Sequence, residues 1–136
     1  MRGASVLKHI GGVEIQPRHR ACCHCGLVEL ELDLPDGLMD LKRCNCSICR
    51  RKGAVMGYVP LDGLRILKGT EHLKAYQFNS QVAEHYFCSN CGIYTHHKTR
   101  STPHQYGFNV GCLDGINPFA IENVPTSDGT NHPADR

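Results

Sequence analysis

Seven of the nine cysteines lie in three short runs: Cys23-His24-Cys25, Cys44-Asn45-Cys46-Ser47-Ile48-Cys49 and Cys88-Ser89-Asn90-Cys91. These are metal-ligand spacings. Around tetrahedral zinc, with Zn–S near ~2.3 Å, neighbouring sulfurs stand about 3.8 Å apart. Cysteines at i and i+2 on an extended segment point the same way, and C-x-x-C closes the gap by folding into a knuckle. Seven thiolates cannot complete two four-cysteine cages. They predict one closed, structural site and one site with three protein ligands and a position open to substrate or water.

Two of the runs end in Cys-Gly, at Cys25-Gly26 and Cys91-Gly92, whereas Cys49 runs into Arg50. A trailing glycine can take positive φ and let backbone N–H groups reach the thiolate. Cys23, Cys25, Cys88 and Cys91 are therefore expected to share a structural zinc. Cys44, Cys46 and Cys49 are left as a catalytic, three-thiolate zinc site, giving two Zn²⁺ ions in all. Three thiolates blunt the metal's Lewis acidity and suit a soft fourth ligand such as a substrate thiol, held deprotonated and nucleophilic. The chemistry that fits is making or breaking a carbon–sulfur bond.

Arg43, Arg50, Arg51 and Lys52 flank the middle run. They are either a solvated basic face offsetting thiolate charge or, for Arg50, Arg51 and Lys52, a substrate-binding patch for the carboxylates of a thiol such as glutathione. A fourth protein ligand would close the open site, and Cys22, Cys112, His24, His85, His96 and His97 are the candidates. Cys112 also reads as a small buried hydrophobe, and Cys22 as packing that faces away from Cys23. His96 and His97 are adjacent on a strand and so face opposite ways, as surface, packing or proton-carrying residues.

The elements that must position these residues alternate with period two. Val28, Leu30, Leu32 and Leu34 interleave with Glu29, Glu31 and Asp33, the pattern of a strand with one wet face. Pro35-Asp36-Gly37 turns the chain, and a strand over 38–43 would deliver Cys44. Further strands are expected at 54–59, 64–67, 73–78, 82–87, 93–97 and 105–112. Short strands joined by brief turns predict an all-β, antiparallel fold. Only 47–52 reads as a helical turn. The tail after Asn117 reads as irregular, with 132–136 frayed.

The runs Cys23-His24-Cys25-Gly26, Cys44-Asn45-Cys46-Ser47-Ile48-Cys49-Arg50-Arg51 with Gly53-Ala54, Phe87-Cys88-Ser89-Asn90-Cys91-Gly92 and Asn109-Val110-Gly111-Cys112-Leu113-Asp114 together resemble the glutathione-dependent formaldehyde-activating family. The resemblance covers roughly residues 20–115. It implies an Mss4-like, all-β zinc fold and a carbon–sulfur lyase joining formaldehyde to glutathione. It also implies structural zinc ligands at Cys23, Cys25, Cys88 and Cys91 and catalytic ones at Cys44, Cys46 and Cys49. The chain departs from the family pattern at Ala21, where glycine is usual, and in the extra Cys22.

The 136 residues suffice for one domain, with a core over about 20–115. No run of about 18 apolar residues suggests a membrane span, and the first residues lack the apolar stretch of a secretion signal. Many cysteines without secretion point to metal-bound thiols in the cytoplasm rather than disulfides. The formal charge is +2. Seven thiolates on two divalent ions would bring it to about −1, so a global pull toward nucleic acid is not expected. Two classes of function follow: a zinc enzyme acting on a thiol adduct, and a zinc-stabilised module that binds a protein or nucleic acid through its basic rim. Few aromatic residues interleave with that rim, which disfavours stacking on single strands.

Overall fold

The computed structural model describes residues 6–78, 81–100 and 104–130. Two antiparallel sheets carry the molecule. The smaller has three strands, β1 (Arg18–Cys22), β2 (Glu29–Asp33) and, across β2 from β1, β4 (Leu64–Lys68). The larger has five. Its strands in chain order are β3 (Met56–Pro60), β5 (Leu73–Tyr76), β6 (Glu84–Cys88), β7 (Tyr94–Lys98) and β8 (Gln105–Asn109), and their spatial order is β5-β6-β7-β8-β3. The class is the expected all-β, Mss4-like one. The alternation in 28–34 does what it predicts, burying Val28, Leu30, Leu32 and Leu34. On the wet face Arg65 of β4 pairs with Glu31 and Asp33.

The main core runs from Ile10 to Ile116 and includes Cys23 and Cys88. A second, smaller cluster of Cys49, Met56 and Tyr94 lies under the Cys44–Cys49 loop. A helix of one turn, α1 (Cys49–Lys52), ends at Gly53, whose φ of 66° is the left-handed C-cap.

Three expectations need correction. The strand over 38–43 is broken into Leu38–Met39 and Arg43–Cys44, because Asp40 sits at φ 55° and turns the chain out of register. The strand over 105–112 stops at Asn109, where the Asn109 carboxamide accepts from Gly111 N–H and opens a 3₁₀ turn, Val110–Cys112. The tail is not wholly irregular. Pro118–Ala120 forms a 3₁₀ turn, and Thr126–Ser127 pairs in parallel with Arg43–Cys44. Residues 132–136 lie outside the described residues.

Candidate metal centre

The four sulfurs of Cys23, Cys25, Cys88 and Cys91 lie within 4.8 Å of one another. Cys25 Sγ is 3.6 Å from both Cys23 Sγ and Cys88 Sγ, close to the tetrahedral edge set by a ~2.3 Å Zn–S bond. Cys23 follows β1, Cys88 ends β6 and Cys91 lies in the turn to β7, so the group joins the two sheets. Both Cys-Gly turns are left-handed, with φ 81° at Gly26 and 78° at Gly92. Gly26 N–H donates to Cys23 O at 3.2 Å and Gly92 N–H to Cys88 O at 2.8 Å. The chain then doubles back. Val28 N–H donates to Cys23 Sγ at 3.4 Å. The Asn90 side chain and then Leu27 N–H donate to Cys25 and lower its thiol to about 6. This donor set fits a thiolate-bound dication.

The sulfurs of Cys44, Cys46 and Cys49 form a second group within 4.8 Å. Among the described residues no fourth cysteine, histidine or carboxylate joins them. Cys49 N–H donates to Cys46 Sγ at 3.4 Å and Arg50 N–H to Cys46 O at 3.0 Å, the first turn of α1. Cys44 is lowered to about 5, first by hydrogen bonding from Cys49 and in part by Ser127. Cys49, its partner, is raised by that same bond and by burial. Cys44 is thus the thiolate of the group, holding the hydrogen bond that Cys49 donates. All the described cysteines are free thiols, so the soft donors that suit zinc are present in both groups.

The three sulfurs open on a cavity of about 370 Å³ against one face of the larger sheet. A single cross-strand row builds that wall: His85 of β6 opposes His97 of β7, His97 opposes Gly107 of β8, and Gly107 opposes Tyr58 of β3. Gly107 is glycine because an added Cβ would stand 2.3 Å from His97 Cε1. A bulge in β7 adds Tyr94 to the same face. His96 opposes Tyr86 and Tyr94 opposes Phe87, so Thr95 is the extra residue and the side-chain phase shifts by one. Tyr94 Oη consequently meets His97 Nδ1 at 2.6 Å. His96 faces the other way, stacked on Tyr86 with ring centroids 4.6 Å apart.

The basic residues separate. Arg50 lines the cavity, as do Lys42 and Arg100. Arg51 turns back and donates to Ser47 O at 2.7 Å. Lys52 points inward: its Nζ lies 3.6 Å over the Tyr94 ring and 2.9 Å from His85 Nδ1. Burial lowers its ammonium to about 8, against the pull of the nearby Cys49, Cys46 and Cys44. Burial, then Lys52 and Arg100, lower His85 to about 4. Cys112 is buried with its thiol toward Tyr94 O, and Cys22 Sγ lies 3.7 Å from Asp114 Oδ1.

The tail closes over the three-cysteine group, a contact with little local mark in the sequence. Arg43 N–H donates to Pro125 O at 2.9 Å and Asn45 N–H to Ser127 O at 3.2 Å. Asn45 Oδ1 accepts from Gly129 and Thr130 N–H at 2.8 and 3.1 Å. Gly129 lies so close that a Cβ there would stand 2.4 Å from Cys44 Sγ. The available signal was Asn45, a backbone-capping side chain between two ligand-type cysteines.

A family model for the glutathione-dependent formaldehyde-activating enzyme matches residues 18–124. A Halomonas elongata protein, provisionally named a glutathione-dependent formaldehyde-activating enzyme, is 35% identical over 77 residues, covering 51% of this chain and 48% of that protein. The chain therefore spans about half the length of that curated relative. The crystal structure of a Rhodobacter sphaeroides protein superposes with a TM-score of 0.76 at 48% identity, covering 79% of this chain and 99% of the other. Among the described residues no helix is long and apolar enough to cross a membrane. By the extent of the family match and the cysteine framework it spans, the chain belongs to the glutathione-dependent formaldehyde-activating enzyme family.

Proposed function

We propose that the protein is a zinc-dependent carbon–sulfur lyase that joins a small thiol such as glutathione to formaldehyde and catalyses the reverse cleavage. The observation that carries this reading is the three-cysteine group opening on the cavity, with no fourth ligand atom within 4.8 Å of all three sulfurs among the described residues. Cys44, Cys46 and Cys49 would hold the catalytic zinc, and Cys23, Cys25, Cys88 and Cys91 the structural one. When bound, zinc in a three-thiolate group supplies the means to keep a soft thiol ligand deprotonated near neutral pH.

The chain's own residues do the rest. Arg50 and Lys42 at the cavity wall offer cations for the two carboxylates of a glutathione-like thiol. Arg51 and Lys52 act at one remove, Arg51 by tying the loop to Ser47 O and Lys52 by anchoring α1 against Tyr94. Tyr58, Phe78 and Met56 give the cavity an apolar side that limits water at the reacting carbon. Free thiols throughout suit the reducing cytoplasm.

The test is direct. Purified protein is added to ¹³C-formaldehyde and glutathione, and exchange between free and adducted carbon is followed by NMR. Acceleration over the uncatalysed rate that disappears in Cys49→Ser supports the reading. A wild-type rate equal to the blank, with two zinc ions bound per chain, refutes it.

A further inference from the structure

We infer that His85 is the group that polarises the carbonyl of the aldehyde, with Lys52 as the positioning residue that sets which ring nitrogen carries the proton. This rests on the reading that a thiol adds to an aldehyde in this cavity.

Lys52 Nζ and His85 Nδ1 share a hydrogen bond 2.9 Å long. An ammonium has three hydrogens and no lone pair, so it donates and Nδ1 accepts. The neutral imidazole must then carry its hydrogen on Nε2. The ammonium form of Lys52 is favoured by the Tyr94 ring face 3.6 Å below it. The ring of His85 is 7% exposed and lines the cavity that the three sulfurs share, while Lys52 does not line it. The Nδ1 edge is thus turned into the protein. The edge left to the cavity carries Nε2–H, which has no protein partner among the described residues. Two stacked rings hold the plane of the imidazole, Phe78 with centroids 5.8 Å away and His97 at 5.4 Å.

The other histidine of the wall is excluded from this role by its own contacts. His97 Nδ1 is bonded to Tyr94 Oη. Its Nε2 lies against Gly107, where even a Cβ would come within 2.8 Å. His96 is on the opposite face of the sheet.

The chemistry requires a neutral donor. As the thiolate sulfur bonds to the carbonyl carbon, the C=O π pair moves onto oxygen. The Nε2–H of His85 bonds that oxygen as its charge grows, and a proton from water completes the hydroxyl of the S-hydroxyalkyl adduct. The thiol's own proton has already passed to water, so protons balance. A neutral imidazole can do this without surrendering its hydrogen, and burial keeps His85 neutral at physiological pH, lowered to about 4.

The experiment uses the zinc-loaded full chain and two readouts. Side-chain ¹⁵N NMR is expected to show His85 as the Nε2–H tautomer in wild type. In Lys52→Met the tautomers should mix, and in Lys52→Arg the Nε2–H form should return. With glutathione and formaldehyde, His85→Phe, which preserves the stacking, should lower kcat about 10²-fold with the KM for glutathione within twofold. His85→Gln, which keeps an N–H donor, should lie between the two. An Nδ1–H tautomer in wild type overturns the assignment, as does a His85→Phe variant that turns over at the wild-type rate. Wild-type protein that accelerates no adduct formation refutes the proposed function itself, and with it any reaction for His85 to serve. Active wild type with an unaffected His85→Phe refutes His85 alone.

Discussion

Replacing Cys88 by serine tests whether the two cysteine groups divide the labour between folding and chemistry. Cys88 is 0% exposed and its partner Cys23 is 2% exposed, and both belong to the main core. Their group is the point at which the strand before Cys23 is tied to the β6–β7 hairpin. A metal held by four thiolates contributes on the order of 10–16 kcal/mol to a small zinc domain, whereas a whole domain is stable by only about 5–15 kcal/mol. Cys88→Ser removes one sulfur in four and leaves a hydroxyl at a position shut off from water, a further cost of roughly 1–3 kcal/mol. The variant is therefore expected to be unfolded or insoluble at 25 °C. Cys49→Ser strikes a group whose other members, Cys44 and Cys46, are only half-buried and which lies over a minor cluster. It should stay folded, bind one zinc fewer and lose thiol-dependent activity. Zinc per chain together with thermal unfolding followed by circular dichroism reads both. A Cys88→Ser protein that keeps two zinc ions and melts within a few degrees of wild type would refute the argument. So would a Cys49→Ser protein that unfolds as readily as Cys88→Ser.

Four further outcomes are expected. Gly129→Val places a side chain where a Cβ would already meet Cys44 Sγ at 2.4 Å. Cobalt–thiolate absorbance should show weakened metal binding at the three-cysteine group with little change in melting temperature. Gly107→Ala drives a Cβ into the buried His97 ring, and urea unfolding should show a loss of about 1–3 kcal/mol. Arg50→Ala removes a cation from the cavity wall and should raise the KM for glutathione several-fold, with kcat nearly unchanged in steady-state assays. The fourth concerns acid. Burial lowers His96 from 6.5 to about 4, and the repulsion of Lys52 adds to it. The unfolded chain therefore takes up the proton first as pH falls. The contribution of the neutral ring to stability is full above about pH 6.5 and is lost as pH drops toward 4, by at most roughly 3 kcal/mol. Protons also release thiolate-bound metal, so the measurement is a difference: His96→Asn should show a shallower fall of unfolding free energy between pH 6.5 and 4 than wild type.

The sequence carried its strongest message where chemistry and local geometry coincide. A Cys-Gly turn needs a left-handed glycine wherever it occurs, and Gly26 and Gly92 mark the four sulfurs that converge. The alternation from Val28 to Leu34 is legible because one face of β2 is core and the other is water. The illegible parts are those set by distant partners. Nothing local marks Thr126–Ser127 as a strand, since two residues carry no periodicity and their partner lies in the Arg43–Cys44 segment. Lys52 reads as one more cation of a basic rim. It is drawn inward because it sits three residues after the buried Cys49 on a single helical turn, beneath Tyr94. Tyr94 in turn reaches that side of the sheet only through the bulge at Thr95, which shifts the phase that a regular strand would keep.

The parallel pairing of Thr126–Ser127 with Arg43–Cys44 also orders events on the ribosome. The four-sulfur group is complete in sequence once Cys91 has been made, whereas the floor beneath Cys44 needs Ser127. At bacterial or eukaryotic elongation speeds the interval between those residues lasts roughly 2–7 s. The three sulfurs of the triad are all made by Cys49, ahead of the tetrathiolate group, yet they go without the backing strand until well after that group can close.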